Sequence, residues 1–121
     1  MHLYDGCTAN SITINNGNTG KFGPLTIESG CTASHIKVNG GSISATSFAT
    51  INSIILNSGG TLSGYRCDVY NAVINANGKM EIRAWDLGTT YSASVSNVII
   101  NARGSCNLRR GVTARNVSVG S

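Results

Sequence analysis

The 121-residue sequence is poor in the residues that build most protein cores. It has one Pro, one Trp, two Phe and four Tyr, and only 12% of its residues are charged. Its apolar residues are mainly Ile and Val, accompanied by 15 Gly and by many Asn, Ser and Thr. Because β-branched residues, Gly and Asn are unfavourable inside helices, this composition excludes a helical bundle. It indicates short strands joined by tight turns.

Further absences exclude classes of partner. No apolar run approaches the length of a membrane span, so we expect no membrane insertion by this segment. The nine Lys and Arg outnumber the five Asp and Glu, but they are scattered, whereas a nucleic-acid-binding protein concentrates them on one element. We therefore expect no nucleic-acid partner. The N-terminal sequence M-H-L-Y-D-G also lacks the basic and apolar regions of a secretory signal.

The residues that catalyse reactions or bind metals lack the required spacing. There is no C-x-x-C pair, and neither His2 nor His35 has ligand spacing to a cysteine, so we predict no metal and no cofactor. The five acids are too dispersed for the carboxylate cluster of a polysaccharide lyase or hydrolase. Neither His fits a triad pattern, and no phosphate-binding or dinucleotide fingerprint occurs. We therefore predict that the protein has no catalytic residues and is not an enzyme.

The sequence does contain a repeat, which is clearest in S-I-I-L-N-S-G-G-T-L at 53–62. Alternating apolar residues indicate strands, and Asn-x-Gly-Gly indicates a sharp turn, so each repeat is predicted to hold three short strands separated by turns. An apolar anchor, followed by Asn in all but the last repeat, recurs with spacings of 24, 18, 18, 26 and 19 residues. A strand-rich repeat of this length is typical of a solenoid. The anchors are Ile14, Val38, Leu56, Ile74, Ile100 and Val119.

Counting back from each anchor gives three further columns that are apolar in all six repeats. A β-sandwich would explain the density of strands but not these fixed columns. We therefore predict an all-β fold, a single-stranded parallel β-helix (β-solenoid) of about six coils with 18–19 residues per coil, forming one domain over 1–121. We expect a right-handed parallel β-helix because crossovers between parallel strands are generally right-handed, not because the columns show it. Two residues before the anchors stand Ile12, Ile36, Ile54, Ala72, Val98 and Val117. Five before stand Ala9, Ala33, Ile51, Val69, Val95 and Ala114. Seven before stand Cys7, Cys31, Ala49, Cys67, Ala93 and Val112.

Stacked coils would also place the asparagines of the repeats one above another. Their amides could then form a hydrogen-bonded ladder, as stacked asparagines do in cross-β structures. Asparagine further tolerates the left-handed backbone of a sharp corner. The predicted asparagine ladder comprises Asn15, Asn39, Asn57, Asn75 and Asn101.

Two intervals between anchors contain extra residues, near 18–28 and 83–92. Both insertions are predicted to project from the same edge of the solenoid, which in repeat proteins is sometimes the binding face. Their aromatic residues either cover the edge locally or stack on a saccharide beside a carboxylate. The candidate ligand-binding residues are Lys21, Phe22, Trp85, Asp86 and Tyr91.

The four cysteines all fall in apolar columns. Cys7, Cys31 and Cys67 share the column seven residues before the anchors, and Cys106 falls with Met80 in a column of the third strand. Burial as small apolar side chains is the favoured interpretation. A disulfide between the stacked neighbours Cys7 and Cys31 is the alternative, although parallel side chains would not point toward each other.

The segments G-C-T-A-S-H-I-K-V-N-G-G (30–41) and I-N-S-I-I-L-N-S-G-G-T-L (51–62) resemble a known repeat. It is the AIDA-type autotransporter passenger repeat, S-G-G-T-A-x-x-x-x-V-N-S-G-G-x-L. The resemblance is close in the first three repeats and loose in the last three. It implies a right-handed β-helix on a bacterial cell surface, extracellular, acting in adhesion or self-association. The four cysteines depart from such passengers, which are usually cysteine-poor.

Three functions follow as hypotheses. The first is a structural, adhesive module of a cell-surface protein, whose partners are other copies of itself. The second is a carbohydrate-binding module that contacts cell-surface glycans through the insertions near Phe22 and Trp85. The third is a self-assembling fibre or phage tail subunit, in which the last coil joins the first coil of the next copy. Because neither end of the sequence resembles a cap, we expect a segment of a longer protein or a stacking subunit.

Overall fold

The computed structural model describes residues 2–3, 6–15, 25–28, 30–46, 48–84, 93–109 and 111–120. These residues form strands and turns and contain no helix, so none of them belongs to a helix that could cross a membrane. The strands are β1 (His2–Leu3), β2 (Thr8–Asn15), β3 (Leu25–Ile27), β4 (Thr32–Asn39), β5 (Ser42–Ala45), β6 (Thr50–Asn57), β7 (Thr61–Tyr65), β8 (Asp68–Ile74), β9 (Lys79–Arg83), β10 (Ala93–Ile100), β11 (Ser105–Leu108) and β12 (Val112–Val119).

These strands form two six-stranded sheets in which every pairing is parallel. The long-strand sheet has the order β12-β10-β8-β6-β4-β2, and the short-strand sheet has the order β1-β3-β5-β7-β9-β11. Successive strands of the chain therefore alternate between the sheets, and each strand pairs with the next but one. This confirms the prediction of an all-β, solenoid-like fold built from stacked parallel strands.

The register of the long-strand sheet matches the predicted columns. Ile12 pairs with Ile36, and Ile36 pairs with Ile54, so that the offsets of 24 and 18 residues between anchors are also the offsets between paired strands. The same column continues through Ala72 and Val98 to Val117. The apolar columns of the sequence are therefore confirmed as positions stacked directly above one another.

The prediction of three separate strands in each repeat is wrong. The two strands predicted before each anchor form one strand with a bend, at the position three residues before the anchor. The residues at the bend have a left-handed backbone with φ between 54° and 70°. One extra residue in this conformation shifts the alternation, which is why the columns five and two residues before the anchor both face inward. The bend residues are Ser11, His35, Ser53, Asn71, Asn97 and Asn116.

The core lies between the two sheets and is made of their inward-facing columns. Leu56 and Ile54 of β6 and Leu62 of β7 have no exposed surface, and the core includes no buried polar or charged residue among those described. Ile and Val dominate because β-branched side chains pack well on a pleated surface. A parallel sheet needs such a covered face for its stability.

Glycine in the turns after Asn57 and Asn75 allows each turn to lie close to the backbone of the neighbouring long strand. A Cβ atom at Gly60 would lie 2.7 Å from the carbonyl oxygen of Val38, and one at Gly78 would lie 2.7 Å from that of Leu56. Contacts this short with backbone atoms are not tolerated, so a side chain at either glycine would force the turn away from the neighbouring strand. Gly60 and Gly78 are therefore required for this close spacing.

Candidate functional site

The candidate ligand-binding residues of the two insertions lie outside the described residues. These are Lys21, Phe22, Trp85, Asp86 and Tyr91. The search for a functional site therefore concerns the described faces and edges of the two sheets.

The five asparagines that follow the anchors form a continuous chain of side-chain hydrogen bonds. The Nδ2 atom of each donates to the Oδ1 atom of the preceding one, over 3.0 Å from Asn39 to Asn15 and over 3.0 Å from Asn57 to Asn39. The next two bonds, from Asn75 to Asn57 and from Asn101 to Asn75, are 2.6 Å long. These are the residues that the sequence placed in one column. The ladder has a structural role, since each amide is used by its neighbours.

A second ladder, which the sequence analysis missed, runs along the bend of the long-strand sheet. Asn71 donates to Asn52 over 3.3 Å, Asn97 donates to Asn71 over 3.2 Å, and Asn116 donates to Asn97 over 3.0 Å. At the other end of the sheet the Nδ1–H of His35 donates to the Oδ1 atom of Asn10 over 2.9 Å. The spacing of Asn71, Asn97 and Asn116 matches the anchor spacing, and this was the signal in the sequence. Asparagine suits this place because it tolerates a left-handed backbone.

The cysteines lie where the columns placed them, as thiols rather than in a disulfide. Cys31 and Cys67 are buried, whereas Cys7 and Cys106 near the two ends of the stack are half-buried. Burial, together with a smaller contribution from the neighbouring Asp68 carboxylate, raises the pKa of the Cys67 thiol to about 12. Burial also raises the pKa of Cys106. Because a thiol reacts as its thiolate, raised pKa values make Cys67 and Cys106 poor nucleophiles.

Arginine and tyrosine form a cluster at the end of the short-strand sheet. The guanidinium carbon of Arg66 lies 4.6 Å from the centre of the Tyr65 ring, and that of Arg83 lies 5.1 Å from it. Cations at these distances are attracted to the ring face. Nearby, Arg109 forms a salt bridge of 3.4 Å with Glu81 on the same sheet. Tyr65 and Glu81 therefore fix the positions of these three arginine side chains.

The outer face of the long-strand sheet carries a depression of about 450 Å³. Its lining residues occupy two outward columns, four and six residues before the anchors, on three adjacent strands. Tyr70 belongs to β8, Ser94 and Ser96 to β10, and Thr113 and Arg115 to β12. We call this depression the notch. It exists because two small serines lie between a tyrosine on one side and a threonine and an arginine on the other.

Asp68, which precedes Tyr70 by two residues, lies next to the notch and contacts its lining residue Ser94. Its Oδ1 atom accepts a hydrogen bond of 3.0 Å from the backbone N–H of Ser94. On the adjacent strand pair, the equivalent N–H of Asp68 donates to the backbone carbonyl of Ala49 instead. Accordingly, strand pairing between β8 and β10 begins only at Val69 and Val95. The regular ladder is thus altered at the notch, where a carboxylate takes the place of a backbone acceptor.

The two edge strands of the long-strand sheet differ from the inner strands in exposure. Val117 and Val119 of β12 are 40% and 75% exposed, whereas their register partners Val98 and Ile100 on β10 are 0% and 8% exposed. Among the described residues, β12 pairs only with β10, and β2 pairs only with β4. Each edge strand therefore presents backbone N–H and C=O groups on its outer side.

No three His, Cys, Asp or Glu side chains of the described part of the chain come together in a way that could hold a metal ion. Comparison with protein-family models, with curated proteins and with solved structures finds no match. The geometry of the two sheets therefore provides the basis for the functional proposals.

Proposed function

We propose that this protein is a structural, adhesive module of a bacterial cell-surface protein, and that it acts by self-association. In this proposal the fold is a right-handed β-solenoid of about six coils with 18–19 residues per coil, as the general preference for right-handed parallel crossovers favours. The resemblance of 30–41 and 51–62 to AIDA-type passenger repeats supports an extracellular or cell-surface location.

The observation that carries the proposal is the exposure of Val117 and Val119 on the edge strand β12. An edge strand can add another strand in parallel, since its outer N–H and C=O groups have the geometry of a further pairing. Strand β2 of a second copy fits this place. In the register used throughout the sheet, its Ile12 would follow Val117 and its Ile14 would follow Val119. Both residues are half-buried at the opposite edge, so the contact would extend two apolar columns across two molecules.

A contact of β12 with β2 joins different surfaces of the two copies. Such a head-to-tail contact does not close on itself unless a rotation brings the ends together, so it favours open filaments. The exposed edges at both ends of the sheet therefore also favour the fibre-subunit alternative, in which the filament itself is the functional assembly.

The test is sedimentation velocity over a range of protein concentrations, with negative-stain microscopy of the same samples. We expect the unchanged protein to form concentration-dependent larger species, and the double variant Val117→Lys, Val119→Lys to remain monomeric because it places two charges in the contact. The control is Ser63→Lys, Ala76→Lys, which adds the same charge at two exposed positions away from the edge strands.

Assembly of the control but not of the edge variant would support the proposal. A monomer at every concentration, or assembly that the edge variant leaves unchanged, would contradict it. Filaments in the micrographs would favour the fibre subunit, whereas discrete small oligomers would favour the adhesive module.

A further inference from the structure

The notch has the features of a small ligand site. Its volume of about 450 Å³ lies within the range of about 300–1,000 Å³ that is usual for small-molecule sites. Its lining combines one aromatic ring with several hydroxyl groups and one cation, all on a rigid sheet rather than on a loop. Side chains held on strands keep their relative positions, which lowers the entropy lost when a ligand binds.

The notch can be described as a grid of outward side chains. Tyr70 forms its first row, Ser94 and Ser96 its second, and Thr113 and Arg115 its third. Asp68 is not part of the lining but lies next to it, since it accepts a hydrogen bond from the backbone N–H of Ser94. Adjacent rows are about 4.8 Å apart and the two columns about 6.6 Å apart, from the spacing of strands and of alternate residues. Tyr70 and Arg115 therefore lie in the same column with about 10 Å between their Cα atoms. The gap between them, over Ser96, is wide enough for one pyranose ring.

Two of these groups select the chemistry of the ligand. The half-buried ring of Tyr70 offers an apolar face with a polar tip, which suits the C–H face of a sugar. The exposed guanidinium of Arg115 suits a carboxylate, which it can bind through two parallel hydrogen bonds. The salt bridge found among the described residues joins Arg109 to Glu81, so Arg115 is not paired with a carboxylate of that part of the chain.

Asp68, which lies beside Ser94 and diagonally across the notch from Arg115, suits a hydroxyl group of the ligand. Its carboxylate is oriented by the Ser94 N–H, and an ionised carboxylate has further acceptor sites for a sugar hydroxyl. The negative charge of Asp68 also disfavours the binding of a polyanion. With one guanidinium in its lining and one carboxylate next to it, the notch lacks the run of cations by which proteins bind a phosphate backbone.

We propose that the notch binds one acidic sugar unit, a pyranose that carries a carboxylate, with the ring over Ser96 and against Tyr70 and the carboxylate at Arg115. This inference goes beyond self-association, because it assigns a ligand to a lateral face of the sheet. Binding at the notch can be measured whether or not copies of the chain associate, so failure of one proposal is distinct from failure of the other.

The experiment is a titration of isotope-labelled protein followed by amide chemical shifts. The probes are methyl β-D-glucuronide and methyl β-D-glucoside, which differ only at C6, a carboxylate in the first and a hydroxymethyl group in the second. We expect the glucuronide to shift signals of residues 68–70, 94–96 and 113–115, and to bind more weakly as salt screens the charge. We expect the glucoside to bind about tenfold more weakly or not at all, since a hydrogen bond to a charged group has that effect.

Two variants with matched controls test the position of the ligand. Ser96→Val fills the notch and should abolish binding, whereas Ser34→Val makes the same change in the same column on β4 and should not. Arg115→Gln should weaken glucuronide binding about tenfold, whereas Lys37→Gln removes a charge from an exposed residue of β4 and should leave binding unchanged.

The proposal is overturned by any of four results: no shifts at the notch, equal binding of both sugars, insensitivity to Ser96→Val, or insensitivity to Arg115→Gln. Inorganic phosphate and a single-stranded oligonucleotide serve as competitors. Displacement of the sugar by phosphate at equal concentration would show general anion binding, and displacement by the oligonucleotide would show nucleic-acid binding. Either result would contradict recognition of an acidic sugar.

Discussion

The inner and edge strands of the long-strand sheet carry the same kinds of residue in the same columns, yet their burial is opposite. Ile54 on β6 has no exposed surface, whereas Val117, in the same column on β12, is 40% exposed. The anchors Leu56 and Val119 are 0% and 75% exposed. Burial in this fold is therefore decided by the strands above and below a residue rather than by the residue itself. This is the behaviour of a repeat protein, in which stability depends on contacts between neighbours.

The asparagine ladder shows the same difference in hydrogen bonds. Asn57 donates one side-chain bond and accepts another, whereas Asn15 at the end of the ladder accepts one and donates none to the described residues. An inner asparagine is thus hydrogen-bonded to the asparagines of both neighbouring strands. Substitutions at matched inner and edge positions can separate the contribution of stacking from that of residue type.

The largest effect is expected from the two anchors. Leu56→Ala should lower the free energy of unfolding by about 2–5 kcal/mol, because it leaves a cavity in the core. Val119→Ala in the same column should change it by about 0.5 kcal/mol or less, since this residue is largely exposed. Urea unfolding followed by circular dichroism measures both. Equal losses would show that the column, and not the neighbouring strands, determines the contribution.

A smaller effect is expected in the ladder. Asn57→Ala removes two hydrogen bonds and leaves the partners Asn39 and Asn75 each short of one, so we expect a loss of about 1–3 kcal/mol. Asn15→Ala removes one bond from an exposed residue and should cost about 0.5–1.5 kcal/mol. The same urea experiment applies. A larger loss at Asn15 than at Asn57 would contradict the view that the ladder gains from stacking on both sides.

The effect expected at Cys67 is absent at neutral pH and arises only in alkaline solution. Its folded pKa is about 12 against an ordinary value of 9.0, so the folded state favours the protonated thiol. Stability from this group is therefore constant below pH 9 and falls as the pH rises from 9 toward 12, because only the unfolded thiol ionises there. Cys67→Ala, which matches Ala49 and Ala93 in the same column, should flatten the pH dependence of unfolding in that window.

Thiol labelling gives the matching comparison. At pH 8 a disulfide reagent should modify the half-buried Cys106 of the edge strand β11 before the buried Cys67. Labelling of Cys67 at the same rate as Cys106 would show that the inner strands open as readily as the edge.

The columns were predictable because the apolar residues of each repeat must occupy equivalent positions on the strand so that they all face the core. The anchors Ile14, Val38 and Leu56, together with the asparagines after them, contain enough of this regularity to fix strand register across insertions. Register follows from the pattern because a shift by one residue would turn every apolar side chain outward. The register is the same on both sides of the insertions predicted near 18–28 and 83–92. The first prediction extended too far, because Leu25–Ile27 forms the regular strand β3, and Arg83 at the start of the second ends β9.

The bend and the notch were not predicted, for different physical reasons. The bend depends on a left-handed residue at each of six positions, of which Ser11 and Ser53 are not typical of that conformation. Its signal was the three-residue gap between two inward columns. The notch depends on differences in side-chain size between neighbouring strands, such as Ser96 beside Tyr70. Such a shape can be found only by comparing the sizes of outward-facing side chains on neighbouring strands. The prediction used the inward-facing apolar columns, which contain no information about those sizes.

The register of the sheets has a consequence for how the chain folds. Every strand pairing among the described residues joins positions between 18 and 26 apart in the sequence. The entropy lost on closing a loop increases only slowly with its length, by about 0.6 kcal/mol for each doubling, and here the loop length stays nearly constant from strand to strand. Each completed strand can therefore act as a template for the next at nearly the same entropic cost. A chain of this kind can grow during evolution by duplication of whole repeats without becoming slower to fold.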